Sequence, residues 1–339
     1  MTRLRCAPSW TVGAGSAGVL LLAAVAVAVV PTLLRHDQEV YEWRAAWGSA
    51  GSGPGEFRGP IGIAVDGSGF VYVSDAGNDR IQKFTADGRF VREWGGTGEA
   101  PGALRRPMHL QLVGDSLLYV AEYLNDRLQA FRLDGTPAAI LDEDTASAGG
   151  GPDAPGGLDA PGGLAFAPDG EEVWIADFFH HRVAVYGKEG TYLRSVGSSG
   201  RGLPGRLHYP TDVAFAPDGS AYVADAYNHR IQRFAADGRH LDSWGGPLGL
   251  GIPGRWKGWF SVATGVHVDA RGRVFVADFF NDRVQAFGAS GTFVAEWGEP
   301  GEAEGAFDRP TDIATGPGGE VYVVDFGNNR IQIFACRAC

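Results

Sequence analysis

Acidic residues paired with arginines at a fixed spacing are the first feature of the sequence that could do chemistry. Six similar motifs place a carboxylate residue five positions before an arginine, and four of them fit the pattern D-x-x-N-x-R. Such a pair can form a charge-assisted ion pair or supply groups for acid–base catalysis. Because the pairs repeat, we interpret them as structural links between neighbouring strands, with catalysis as the alternative. The pairs are Asp75 with Arg80, Glu122 with Arg127, Asp177 with Arg182, Asp225 with Arg230, Asp278 with Arg283, and Asp325 with Arg330.

Six similar segments contain these pairs and predict the elements that must position them. Each segment has three stretches in which apolar and polar residues alternate, as in β-strands with one buried face, and short turns separate the stretches. A fourth strand ending in Trp-Gly follows most segments, although in the second segment it has degenerated to TPAAIL. The segments are residues 61–84, 108–131, 162–186, 211–234, 264–287 and 311–334.

The sixth segment lacks its fourth strand, and the missing strand is found at the other end of the repeats. Residues 40–48, VYEWRAAWG, have the pattern of a fourth strand and precede the first segment. We therefore predict an all-β fold, a six-bladed β-propeller over residues 40–335 that this N-terminal strand closes, which removes the exposed sheet edges that an open ring would leave. A short tail, residues 336–339, follows.

An uncharged apolar segment precedes the predicted propeller. Its densest part, residues 17–34, would span about 27 Å as an α-helix, close to the thickness of a bilayer core. We predict one transmembrane anchor here, with residues 1–16 as a cytoplasmic tail because Arg3 and Arg5 precede the helix. The propeller would then lie on the periplasmic side of the cytoplasmic membrane. A cleaved signal peptide is the alternative, since AVA triplets in the run could mimic a cleavage site.

Three polar residues are predicted to meet in the propeller channel. The second residue of the first strand should approach the axis, and it is glycine in the first, third and fifth segments. The other segments place His109, Asp212 and Asp312 there. One imidazole and two carboxylates can bind a divalent cation, so Ca or Zn is the cofactor that the channel could hold. The alternative is that the aspartates only accept bonds from backbone amides, with no cofactor.

Aromatic residues follow the carboxylate that ends the second strand in most segments. They should line one face of the ring, either packing between loops or forming a surface for a partner. The connection at residues 246–263 adds tryptophans beside Lys and Arg, which could contact a partner or fold back over the blade. Candidate partner-binding residues are Tyr123, Phe178, Phe179, Tyr227, Phe279, Phe280, Trp256, Trp259 and Phe260, and Phe326 is a further loop aromatic.

Two cysteines at the C-terminus form a C-x-x-C motif. Cys336 and Cys339 can form a local disulfide if the domain is exported, and otherwise they belong to a free tail. A single pair supplies too few ligands for structural zinc.

The six segments resemble the NHL-repeat family over about residues 40–334. The resemblance depends on the six D-x-x-N-x-R-like motifs in register, with Glu122 replacing the first Asp once and His180 replacing the Asn once. It implies a six-bladed propeller, here of a membrane-anchored bacterial type. It leaves the function open, because NHL propellers include scaffolds, RNA binders, sensor domains of receptor kinases and a lyase that cleaves peptidyl-hydroxyglycine.

That lyase holds a metal in its channel with His residues from different blades, so the placement of His109, Asp212 and Asp312 looks similar. This sequence departs from the lyase by having Asp at two of the three positions, and it lacks an evident Tyr–Arg catalytic pair. The resemblance therefore does not carry a complete catalytic set to this chain.

Charge and motif content narrow the expected function. The chain has a formal net charge of −11, and all 40 acidic residues follow Arg35, which disfavours nucleic-acid binding. We see no Ser-His-Asp order, Walker loop, dinucleotide turn or H-E-x-x-H motif. We expect a non-enzymatic, membrane-anchored scaffold or accessory subunit that docks on a larger integral membrane complex. The alternatives are a metal-dependent lyase or hydrolase at the channel mouth, and a binding module for small ligands or glycans.

Overall fold

Six four-stranded antiparallel sheets form the fold. The computed structural model describes residues 39–141 and 156–337. In each sheet we name the strands a to d from the channel outward. The a strands of successive sheets contact each other in a closed ring, so the sheets are the six blades of a propeller. This confirms the predicted all-β, six-bladed fold.

The blades follow one another along the chain. Blade 1 consists of β2 (Pro60–Val65), β3 (Val71–Asp75), β4 (Arg80–Phe84) and β5 (Phe90–Gly95). Blade 2 consists of β6 (Pro107–Val113), β7 (Leu117–Glu122), β8 (Arg127–Arg132) and β9 (Pro137–Leu141). Blade 3 consists of β10 (Pro161–Phe166), β11 (Glu172–Asp177), β12 (Arg182–Gly187) and β13 (Tyr192–Val196). A short parallel pair follows, β14 (Ser198–Ser199) with β15 (Arg206–Leu207).

The second half of the ring repeats this order. Blade 4 consists of β16 (Pro210–Phe215), β17 (Ala221–Asp225), β18 (Arg230–Phe234) and β19 (His240–Trp244). Blade 5 consists of β20 (Ala263–Val268), β21 (Val274–Asp278), β22 (Arg283–Phe287) and β23 (Phe293–Trp297). Blade 6 consists of β24 (Pro310–Thr315), β25 (Glu320–Asp325), β26 (Arg330–Cys336) and the N-terminal β1 (Tyr41–Trp47). Short 3₁₀ turns occupy Ala76–Asn78, Ala226–Asn228, Pro247–Gly249 and Phe279–Asn281.

The N-terminal strand closes the ring as predicted. β1 pairs antiparallel with β26, with Tyr41 opposite Cys336 and Trp47 opposite Ile331. The Tyr41 ring also stacks on Trp297 of blade 5, with 4.2 Å between the ring centroids. The edge of β26 is therefore paired, which removes a site at which other chains could add strands.

Apolar clusters between neighbouring blades form the core. The b strands are buried on both faces, and β3 is buried along its whole length. The strand-d tryptophans pack onto the next blade, as Trp94 does against Phe131. There Gly135 has a φ of +87°, and a Cβ would lie 2.9 Å from the Trp94 ring. Aromatic burial thus joins each blade to its neighbour.

The predicted tail and anchor, residues 1–16 and 17–34, lie outside the described residues, as does Cys339. Among the residues that the structure describes, no helix is long and apolar enough to cross a membrane.

Candidate functional site

The repeated carboxylate–arginine motif ties two loops of each blade together. In blade 4, Asp225 accepts a hydrogen bond from the backbone N–H of His208 at 2.7 Å and from Arg230 Nε at 2.8 Å. Arg230 Nη2 in turn donates to the carbonyls of Leu203 and Arg206, at 2.8 and 2.6 Å. The motif therefore fixes the b–c turn of a blade to the connection that leads from strand d of the preceding blade into its own strand a.

The same link is present in every blade. The Nε–carboxylate distances in the six predicted pairs are 2.7 or 2.8 Å. All six carboxylates are fully buried, which leaves them inaccessible to a substrate. In blade 3, His180 takes the place of the usual Asn, and its Nδ1 lies 2.9 Å from Asp177.

Two further members of this network were not recognised from the sequence. A buried glutamine two residues after the arginine donates to the same carboxylate and to a connection carbonyl, and blade 3 has Ala184 in its place. The residue just before the arginine has a φ between 50° and 54° and accepts a backbone hydrogen bond from the next blade. Asn, Asp and His tolerate this left-handed conformation best. The regular spacing of both residues was the signal available. The glutamines are Gln82, Gln129, Gln232, Gln285 and Gln332, and the linking residues are Asp79, Asp126, His181, His229, Asp282 and Asn329.

The three predicted channel residues do meet at the axis. One donor atom from each of His109, Asp212 and Asp312 lies within 4.8 Å of the others, and all three residues are buried. His109 Nδ1 is 3.5 Å from an Asp212 oxygen and 3.3 Å from an Asp312 oxygen. The arrangement suits a divalent cation by its donor types, and it equally forms an ion triad when the imidazole is protonated.

Glycines in the alternate blades make room for this triad. A Cβ on Gly62 would lie 2.7 Å from the Cα of His109, and one on Gly265 would lie 2.9 Å from the Cα of Asp312. Adjacent a strands therefore approach each other so closely that only glycine fits at these positions. This contact explains why glycine and a polar residue alternate around the ring.

Backbone amides and charges hold the triad. Val266 N donates to Asp212, and Ile63 N donates to Asp312, both at 2.9 Å. Burial raises the pKa of Asp212 to about 7, against the opposing effect of His109. Burial alone would lower the pKa of His109, but the two carboxylates outweigh it and raise the value to about 9. A protonated imidazole between two aspartates is therefore the arrangement that the site favours by itself.

The b–c turns and the connections from d to a form one face of the disc, which we call the loop face. A cavity of about 310 Å³ lies there at the channel mouth, with His109 among its lining residues. Six of the predicted loop aromatics line it, and the predicted Phe179 is exposed nearby. Tyr209, which the sequence did not single out, lies between Phe178 and Tyr227, with ring centroids 4.8 and 5.1 Å away. The six lining aromatics are Tyr123, Phe178, Tyr227, Phe279, Phe280 and Phe326.

The aromatic residues of the connection between blades 4 and 5 behave differently from one another. Trp256 is 73% exposed, and Trp259 is half-buried. Phe260 is fully buried, with its ring centroid 5.7 Å from that of Phe287. The expectation that Phe260 contacts a partner is therefore wrong, because its side chain belongs to the core of blade 5.

A second cavity, of about 510 Å³, opens on the loop face at blade 1. Three arginines line it, and its lining residues Ala76 and Gly77 are small. No motif or spacing in the sequence indicates this cavity. The arginines are Arg58, Arg106 and Arg309.

The predicted C-terminal disulfide lies at the limit of the described residues. Cys336 ends β26 and is disulfide-bonded, while its predicted partner Cys339 is outside the described part of the chain.

Comparison with known proteins supports the repeat assignment. The family model named NHL repeat matches residues 57–84, 207–234 and 307–334, which lie in blades 1, 4 and 6 and the residues just before them. No curated protein sequence matches the chain.

Several solved structures share the fold. A structural genomics protein of unknown function from Bacteroides thetaiotaomicron is similar with a TM-score of 0.65 and 15% identity, over 88% of this chain and 77% of that chain. Virginiamycin B lyase from Staphylococcus aureus, solved with quinupristin, has a TM-score of 0.54 and 16% identity, over 88% and 89% of the two chains. Hydrazine synthase from Kuenenia stuttgartiensis has a TM-score of 0.54 and 13% identity, over 84% and 97%. Similarity at these identities shows a common fold and leaves the activity open.

Proposed function

Because the chain is a six-bladed β-propeller built from NHL repeats, we propose that it is a non-enzymatic binding protein whose loop face holds a protein partner. The observation that carries this proposal is the cluster of exposed aromatic side chains around the channel mouth. Phe280 is 56% exposed, and Phe179 and Tyr227 are each 45% exposed. A cluster of exposed aromatic side chains is typical of a protein–protein interface, because the burial of such side chains supplies much of the binding free energy.

The rest of the loop face offers little for catalysis. The six repeated carboxylates are buried in structural pairs, so none of them can act on a substrate at the surface. A scaffold or accessory subunit needs only a rigid platform and a contact surface, which regular blades with variable loops supply.

We also propose that residues 17–34 anchor the chain in the cytoplasmic membrane, with the propeller on the periplasmic side and an integral membrane complex as partner. The support is the uncharged apolar run and the position of Arg3 and Arg5 before it.

Affinity capture of the full-length, tagged protein from gently solubilised membranes tests the proposal. The variant F179S/F280S removes two exposed aromatics of the loop face. The matched control V91S/L241S removes two exposed apolar residues from the outer d strands, which are 42% and 39% exposed. We expect wild type and control to recover the same partner, and F179S/F280S to recover about tenfold less. Equal recovery by all three proteins, or recovery of the protein alone, would refute the proposal.

A metal-dependent lyase or hydrolase is the second candidate. His109 Nδ1 is buried and forms no well-directed hydrogen bond, although two carboxylates are near it, and the same residue lines the loop-face cavity. A substrate in that cavity would therefore lie beside a potential metal site, and one structure with the same fold is a virginiamycin B lyase. Metal analysis and thermal unfolding with and without chelator test this candidate. Absence of bound Zn and Ca, together with an unchanged melting temperature, would eliminate it.

A further inference from the structure

The ring of aromatic residues on the loop face has one gap, at blade 1. In blades 2 to 6, at least one of the first two residues after the strand-b carboxylate is aromatic. Blade 1 has Ala76 and Gly77 at these positions. The gap is occupied by the 510 Å³ cavity, which shares Ile61, Arg106 and Phe326 with the aromatic cavity at the channel mouth. The two cavities thus adjoin along one wall.

The cavity at blade 1 is locally basic in an acidic protein. Arg309 forms an ion pair with Asp308, at 2.7 Å. Arg58 and Arg106 form no ion pair and no side-chain hydrogen bond within the described part of the chain, and Arg106 lies over the Tyr123 ring at 5.1 Å. Two free guanidinium groups therefore face one cavity of a chain whose net charge is −11.

The one carboxylate among the described residues lining that cavity is already used. Asp79 accepts hydrogen bonds from the backbone N–H of Arg106 at 2.7 Å and from the Thr97 hydroxyl at 2.6 Å. The Asp79 carboxylate neutralises part of the positive charge of the cavity, but it accepts no hydrogen bond from the guanidinium group of Arg58 or Arg106.

The backbone that carries two of the arginines is held in place before any ligand binds. Arg106 and Arg309 have φ values of 50° and 56°, and a proline follows each of them. Asp79 and Asp282 each accept the backbone N–H of one of them, at 2.7 and 2.8 Å. Side chains on a preorganised backbone lose less entropy on binding.

We propose that the two adjoining cavities bind a segment of the partner protein in which a carboxylate side chain lies next to an apolar side chain. The carboxylate contacts Arg58 and Arg106 at blade 1, and the apolar side chain enters the aromatic cavity. Guanidinium groups suit carboxylates because they can donate two parallel hydrogen bonds. This inference rests on the proposed function and specifies the chemistry of its partner. A polyanion such as RNA would meet the repulsion of the whole acidic chain, whereas a single carboxylate needs only the local charge.

Selection from a phage-displayed library of short random peptides tests the inference without the native partner. The target is the full-length protein in mild detergent, in three forms. These are wild type, R58E/R106E, and the control R89E/R239E, which reverses two exposed arginines in c–d turns on the opposite face. We expect wild type and control to enrich peptides with Asp or Glu beside an aromatic or aliphatic residue, and R58E/R106E to lose them.

Fluorescence anisotropy with individual enriched peptides gives the magnitude. Each arginine should contribute up to about fivefold in affinity, because exposed ion pairs contribute up to about 1 kcal/mol, so R58Q/R106Q should weaken binding by up to about 25-fold. Replacing the peptide carboxylate by its amide should weaken binding to wild type equally and to R58Q/R106Q little. Circular dichroism shows whether each variant keeps its fold.

Three results would overturn the inference. They are enriched peptides without excess acidic residues, equal binding by R58Q/R106Q, and tighter arginine-dependent binding of a labelled single-stranded RNA. These results are separate from failure of the proposed function. If F179S/F280S still captures the native partner while acidic peptides depend on the arginines, the proposed function fails alone. If capture depends on the aromatics while R58E/R106E captures normally, only this inference fails.

Discussion

Replacement of Asp225 by alanine should destabilise the propeller strongly. The Asp225 carboxylate is fully buried and accepts hydrogen bonds at 2.7 or 2.8 Å from His208 N, Asn228, Arg230 and Gln232. Arg230 is 1% exposed. Truncation of the aspartate would therefore leave a buried cation and several donors without their acceptor, because water cannot reach them.

We expect D225A to lower the free energy of unfolding by about 3–5 kcal/mol, the usual cost of removing one partner from a buried ion pair. Burial raises the pKa of Asp225 even beside Arg230, so the cost comes from the cation left behind more than from the attraction of the pair. The double variant D225A/R230M should consequently be more stable than D225A alone.

The same blade supplies a matched control. Asp218 also pairs with an arginine, Arg233, at 2.7 Å, but its carboxylate is 56% exposed. D218A should therefore cost less than about 1 kcal/mol. Urea unfolding followed by tryptophan fluorescence measures all three variants at constant pH. The reasoning would be refuted if D225A lost no more stability than D218A, or if R230M failed to restore any stability to D225A.

Three further predictions concern the channel and the closure of the ring. The pKa of His109 is raised from 6.5 to about 9, so its stabilising effect is complete below about pH 6.5 and is lost as the pH rises through 9. In urea unfolding, the free energies of unfolding of wild type and H109Q should therefore converge between these pH values. A constant difference between the two proteins over this range would contradict the prediction. G62A should lower the free energy of unfolding by about 1–3 kcal/mol, because the added methyl group would overpack against His109. G67A is the control and should have little effect, because its Cβ would meet only a side-chain oxygen at 3.4 Å. Deletion of residues 1–48 should expose the β26 edge and cause aggregation in light scattering, and deletion of residues 1–38 should not; equal behaviour of both would exclude the edge as the cause.

The blades could be predicted because their signals are local and repeated. Alternation with period two identifies each strand, and the motif that ends strand b recurs with the same spacing in every blade. The closing strand was also predictable, since residues 40–48 match the pattern that blade 6 lacks, and the structure pairs β1 with β26. The channel triad followed from the strand register, because the same position of three a strands faces the axis.

The loop face was less predictable because its residues meet only when the ring closes. Phe260 was misjudged, since a connection without periodic alternation gives no indication of which aromatic residues point inward. The basic cavity depends on what blade 1 lacks, namely an aromatic residue at Ala76 or Gly77, and a missing side chain adds no residue type or motif from which a site can be predicted. Arg58 and Arg309 lie near opposite ends of the repeats and become neighbours through closure alone.

The channel triad and the loop face are physically linked at one residue. His109 lines the aromatic cavity on the loop face and also a cavity of about 50 Å³ deeper in the channel. The cavity on the loop face is lined by His109 but by neither aspartate, so a ligand in it would meet the imidazole before Asp212 or Asp312. A partner segment in the aromatic cavity would therefore cover the same imidazole that a metal-dependent reaction would need. The two proposed functions consequently compete for one entrance. Variants of Asp212 and of Arg58 separate them, because Asp212 lines the deeper channel cavity and Arg58 lines the cavity at blade 1.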